Sequence, residues 1–147
     1  MRGDVTTMPE SRLILDSRLD ELARFWPWVE ALAAEYAIPA DTKFAIDLCL
    51  EEALSNIVRH GYSGEAGRPI FVDFTNAADR WTFTIEDHGP PFNPLELEDD
   101  KLAPTTFDEL KAGGRGINLL RQFAGSLDYE RIADGNRLTI RFAKSQS

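Results

Sequence analysis

The chain runs to 147 residues, a length that suits one domain, and 43% hydrophobic residues with nine Phe and three Trp supply a core that needs no disulfide or metal staple. Sixteen basic against twenty-five acidic residues leave a net charge of −9, which repels a phosphate backbone and sets direct nucleic-acid binding aside. It leaves room for a small anion held by a few backbone amides and a cation.

Cys49 is the only cysteine, so no internal disulfide forms, and its usage suits a reducing compartment. No apolar run approaches the roughly 20 residues that span a bilayer, and residues 1–12 lack the apolar core of a signal peptide. The expectation is a cytoplasmic protein without membrane association.

In chain order, residues 1–10 are polar and read as a disordered tail, leaving residues 11–147 as a single domain. Residues 11–17 alternate, with Leu13 and Leu15 on one face, and predict a short strand. Residues 19–36 carry apolar side chains at helical spacing, with Pro27 placed to kink or divide the helix and Ile38-Pro39 to end it. Trp26 and Trp28 read as packing residues, and an exposed one as a mark of a dimer or partner surface. Residues 41–60 form the strongest helix, capped by Asp41 and ended by Gly61. Residues 69–75 and 80–86 predict two antiparallel strands joined at 76–79.

Residues 88–114 hold four prolines, an acidic run and a glycine pair, a long functional loop rather than regular structure. Residues 116–123 predict a helix, and 126–131 with 136–142 a hairpin around Asp134-Gly135. This order argues for an α+β fold, a two-layer α/β sandwich with a mixed, mostly antiparallel sheet and helices on one face.

Three pieces carry chemistry. The first is E-E-A-L-S-N-I-V-R-H-G-Y, residues 51–62. Helical spacing puts Glu52, Asn56 and His60 in one row beside apolar Ala45, Leu48 and Ala53. Alone, such a row is a buried hydrogen-bond network or a surface row on a rotated helix. Chemically, the Asn56 carbonyl suits Mg²⁺, which keeps water and phosphate as its other ligands, and Glu52 stands one turn away to take a proton. His60 reads as a structural or helix-terminal residue rather than a catalyst, and Cys49 as core filler.

The second piece is a strand running into D-H-G-P-P-F, residues 87–92. Asp87 can accept from an exocyclic amine, and Gly89 lets the backbone approach a flat base. An ordinary Gly-Pro turn is the bland alternative. The third is G-G-R-G-I-N-L-L, residues 113–120, glycines entering a helix whose free N–H groups can hold phosphate. It is neither a Walker loop nor a dinucleotide fingerprint.

These three boxes, in this order, resemble the GHKL superfamily of ATPases and kinases, which has the Bergerat ATP-binding fold. The nearest likeness is to bacterial anti-sigma factor serine/threonine kinases (the switch-protein kinases). E-A-L-S-N-I-V-R-H-G-Y is similar to that subfamily's N box, D-H-G-P-P-F-N-P to its first glycine box, and G-G-R-G-I-N-L-L to its second.

The resemblance, over residues 12–142, implies that Glu52 is the general base and Asn56 the Mg²⁺ ligand. It implies that Asp87 binds the adenine amine over Gly89. Gly114, Arg115 and Gly116 would contact the phosphates, residues 93–112 form the ATP lid, and His60, Pro91, Phe92, Gly113 and Ile117 complete the nucleotide set. Pro91 stands where many members carry a second glycine, a variant that stiffens the start of the lid.

The implied activity is ATP- and Mg²⁺-dependent phosphorylation of a STAS-type anti-anti-sigma protein, with a sigma factor as a further ligand and a homodimer as the assembly. The alternative is a non-catalytic ATP-binding regulator that sequesters a sigma factor or other signalling protein. A histidine-kinase fragment fits poorly, since His60 and His88 both fall inside the boxes and neither precedes them as a phosphoacceptor.

Overall fold

A computed structural model describes residues 8–94 and 124–144. Five strands form one sheet: β1 Ser11–Asp16, β2 Pro69–Asn76, β3 Arg80–Asp87, β4 Ser126–Ile132 and β5 Gly135–Ala143, in spatial order β1-β2-β3-β5-β4. The expected α+β sandwich is found. Every strand pairing in the described sheet is antiparallel, so none of its parallel component appears among these residues.

Each strand alternates, and one set of side chains faces the helices. Leu15 opens that set, followed by Ile70, Val72 and Phe74 on β2, Phe83 and Ile85 on β3, and Ile140 on β5, all almost wholly buried. The other face is wetter and laced with cross-strand ion pairs. Arg12 grips Asp73 at 2.7 and 2.9 Å, Arg137 bonds Glu86 at 2.8 Å, and Arg141 bonds Asp128 at 2.6 Å. A one-residue slip would carry these charges into the core, which fixes the register.

The first helical stretch is divided, as Pro27 allows. A 3-10 turn covers Leu19–Arg24, and α1 runs Phe25–Glu35. Pro27 thus falls in the first turn of α1, where its missing N–H costs no helical bond. Phe25, Val29 and Leu32 face the core at helical spacing. Trp28 meets Phe83 edge-on at 6.0 Å and donates Nε1–H to Ser11 Oγ at 2.9 Å, while Trp26 stays 40% exposed. Ala37 then turns the chain with a positive φ of 54° before Pro39.

Helix α2 spans Ala40–Asn56 and continues as a π-helical turn over Ile57–Gly61. Asp41 is not its cap: the N-cap is Pro39, with no side-chain cap bond, and Asp41 lies in the first turn, where a negative charge suits the dipole. Ile46, Cys49, Leu50, Ala53 and Leu54 bury completely against the sheet. Burying each large apolar side chain contributes about 1.5–3 kcal/mol.

The remaining boundaries shift by small steps. Pairing begins at Glu10, whose N–H donates to Phe74 O at 2.8 Å, before β1 proper. The β4–β5 hairpin turns at residues 133–134, so Gly135 opens β5 opposite Ile132 rather than forming the turn. The helix expected at 116–123 and most of the loop before it lie outside the described residues.

Candidate functional site

The π turn that follows α2 and the chain leaving β3 meet at one end of the sandwich. On β3 the buried face reads Trp81, Phe83, Ile85 and then Asp87, so strand alternation alone delivers a carboxylate to the end of an apolar row. Asp87 is 2% exposed. Its Oδ1 accepts from the Gly89 N–H at 2.8 Å and from Asn136 Nδ2 at 2.9 Å.

On α2, Glu52 and Asn56 bury together, each 5% exposed, as their four-residue spacing predicts. His60 leaves their row. The π turn that starts at Ile57 adds a residue per turn, and His60 ends exposed, its ring stacked 6.2 Å from Phe92. Tyr62 closes that turn by donating its N–H to Ile57 O at 2.7 Å.

The stretch after β3 is held from several sides. Tyr62 hydroxyl accepts the His88 N–H at 2.7 Å and donates to Pro69 O at 2.8 Å. Burial pushes the Tyr62 phenol pKa up, and the His88 N–H partly offsets this by favouring the phenolate. Arg68 lies over the Tyr62 ring at 4.7 Å and bonds His88 O at 2.9 Å, while Arg131 of β4 bonds Gly89 O at 2.8 Å.

Two glycines here are closely packed by aromatic rings. A Cβ on Gly89 would meet the Tyr62 ring at 3.1 Å, and one on Gly61 would meet Phe92 Cδ2 at 3.2 Å. Pro91 faces solvent and Phe92 is half-buried.

Asn136 is the residue that sequence reading missed. It stands opposite Asp87 in the β3–β5 ladder and is 3% exposed. The sequence reads it as the first residue of a strand, with no role given to its side chain. The available signal was its alternation with Leu138 and Ile140, which puts it on the helix-facing side.

For a metal, no group of three or more His, Cys, Asp or Glu is assembled among the described residues. Asn56 instead presents one buried carboxamide whose Nδ2 has no hydrogen-bond partner among the described residues. Turned by half a rotation about its last side-chain bond, the amide would offer its carbonyl oxygen at that position. One oxygen donor does not cage an ion but fits Mg²⁺, which brings water and phosphate ligands of its own. Gly113, Gly114, Arg115, Gly116 and Ile117 lie outside the described residues, as does the loop after Pro94. Among the described residues no helix is long and apolar enough to cross a membrane.

The sequence profile of the histidine kinase-like ATPase domain matches residues 15–142. The chain is 32% identical over 115 residues to the serine/threonine-protein kinase BtrW of Bordetella bronchiseptica, covering 77% of this chain and 79% of that one. It is 26% identical over 97 residues to an anti-sigma F factor of Clostridium perfringens, covering 65% and 69% of the two chains. It is 24% identical over 113 residues to that of Anoxybacillus flavithermus, covering 76% and 77%.

Proposed function

We propose a function from one premise: the chain belongs to the histidine kinase-like ATPase domain family. It is an ATP-dependent protein serine/threonine kinase that acts as an anti-sigma factor, and its substrate is a hydroxyl on a STAS-type anti-anti-sigma protein. It works in the cytoplasm as a homodimer, with a sigma factor as its other ligand. The observation that carries the reading is Asp87, a buried carboxylate at a strand end with Oδ1 occupied by the chain's own donors, inside the matched stretch. An acceptor held this way suits the exocyclic amine of adenine, and Gly89 beside it leaves room for the base.

The residues divide the reaction between them. Asp87 orients ATP through its amine. Asn56 holds Mg²⁺, which when bound neutralises charge on the phosphates. Gly114, Arg115 and Gly116 contact the same phosphates, with His60, Pro91, Phe92, Gly113 and Ile117 around the nucleotide. Glu52 accepts the proton of the partner's hydroxyl as that oxygen bonds to the γ-phosphorus. The bond from the γ-phosphorus to the bridging oxygen breaks, and ADP leaves with the electron pair. Such transfer rests on positioning and electrostatics more than on covalent chemistry by the protein.

Calorimetry with ATP, with and without Mg²⁺, on wild type and Asn56→Ala tests the site. Mg²⁺-dependent binding weakened by the substitution is expected. A cognate STAS protein with labelled ATP then separates the kinase from a binding-only regulator. ATP binding without any transfer to the partner would leave only the regulator.

A further inference from the structure

The carboxylate of Asp87 is not held by its own loop alone. Asn136 Nδ2 donates to Asp87 Oδ1 at 2.9 Å and to Pro90 O at 2.9 Å. Asn136 Oδ1 accepts from the Phe92 N–H at 3.1 Å and from the Tyr129 hydroxyl. A carboxamide has two N–H donors and two acceptor lone pairs, and all are engaged.

The partners also fix which way the amide points. A backbone N–H only donates, whereas a carboxylate and a carbonyl only accept. A flipped Asn136 would set N–H against N–H at Phe92 and oxygen against oxygen at Asp87 and Pro90, so one orientation survives.

The consequence falls on Asp87. Both hydrogen bonds it accepts among the described residues land on Oδ1, from Gly89 and Asn136. These two donors lie on different strands of chain and together set the plane of the carboxylate. Oδ2 accepts neither of them. An ionised oxygen accepts only, so it suits a 6-amino purine and repels the 6-oxo oxygen of hypoxanthine or guanine. A carboxylate free to turn about its own axis would discriminate less, because it can recruit water between itself and a 6-oxo group.

We propose that Asn136, locked by Tyr129, is the positioning residue for purine recognition: it assigns Asp87 Oδ1 to the protein and Oδ2 to the base. Asn136 touches no reacting atom and acts through Asp87. The same carboxamide ties Pro90 and Phe92 to β5, so the floor of the base site and the chain leaving it are set by one side chain. This proposal rests on the nucleotide reading above.

The test is calorimetric affinity for ATP and for inosine triphosphate, which differ at the 6-position, on wild type, Tyr129→Phe and Asn136→Leu. Thermal unfolding without nucleotide is measured in parallel. Wild type is expected to prefer ATP. Asn136→Leu should lower ATP affinity about tenfold, the scale of a hydrogen bond to a charged group, and leave inosine triphosphate within about twofold. Tyr129→Phe should move the ratio the same way by about threefold, and it decides the matter if Asn136→Leu does not fold.

Equal weakening of both nucleotides would make Asn136 a structural residue only and overturn the proposal. An unchanged ATP preference in Tyr129→Phe and Asn136→Leu would overturn it while leaving the nucleotide reading intact. Wild type that binds no ATP would overturn both.

Discussion

Asp87 and Asn136 face each other at the matching ends of β3 and β5, and Asn136 Nδ2 donates to Asp87 Oδ1 at 2.9 Å. A purely apolar pair at this level of the sheet would pack as well as Ile85 and Leu138 do two ladder steps away. The polar pair is tolerated because every donor and acceptor of the amide is matched.

Replacing Asp87 by Asn removes an acceptor-only group and introduces a donor where the base amine would bind. ATP affinity is expected to fall on the order of 100-fold, since a site built for one hydrogen-bonding pattern is then left mispaired. Loss of the ATP-induced rise in thermal midpoint reads this directly. An undiminished rise would remove Asp87 from the base site.

Gly135→Ala tests the close approach that brings β5 to the site. A Cβ there would stand 1.8 Å from Asp87 O and 2.9 Å from the His88 Cα, both backbone atoms that cannot swing aside. The expected loss is about 3 kcal/mol in urea unfolding, with nucleotide affinity falling as well, because the strand must move away from Asp87. A stability change under about 0.5 kcal/mol, the range of an ordinary surface substitution, would contradict this packing.

Glu52→Gln keeps shape and burial but cannot accept a proton. Phosphate transfer to the partner should fall about a hundredfold or more while ATP binding stays near wild type. The measurement is single-turnover transfer beside calorimetry on the same protein. Full transfer by the variant would end the general-base role.

Burial pushes the Cys49 thiol pKa up to about 12, against roughly 8.5 for an unfolded cysteine. The folded value is the higher one, so the stability contributed by the protonated thiol is complete below about pH 8.5 and is lost as pH rises toward 12. Wild type should lose up to about 1.4 kcal/mol per pH unit within that window relative to Cys49→Ala, a difference that cancels the tyrosine and lysine titrations. Urea midpoints at pH 7 and near 10 measure it, and a pH-independent difference would mean that the thiol is not shielded. The folded thiol should likewise resist alkylation until the chain unfolds.

Much of the fold was legible because it rests on local periodicity. The alternation of β1, β2, β3 and β5 and the helical spacing of α1 and α2 appear in the amino acids themselves, since period-2 and period-3.6 burial needs no knowledge of the partner. Glu52 and Asn56 were legible for the same reason, being four apart on one helix. The misplaced features were terminal ones. Asp41 looked like a cap, and His60 looked like the third member of a row, but a π turn begins at Ile57, closed by the Tyr62 N–H, with Phe92 packed on Gly61. Such a widening is decided by contacts with a distant segment, not by the residues it contains.

By itself the sequence determined the two-layer architecture, the carboxylate at the end of β3 and the acid–amide pair on α2, because each follows from hydrophobic pattern and side-chain chemistry within one element. Only the tertiary structure decided what holds that carboxylate. Asn136 lies 49 residues from Asp87 in the chain, and no local rule connects them. The connection arises because β5 pairs with β3 antiparallel, in a register set by its apolar residues, and Gly135 lets its first residues pass against the Asp87 backbone. Burial then makes the amide's four hydrogen bonds obligatory, and one of those bonds settles on Oδ1 of Asp87.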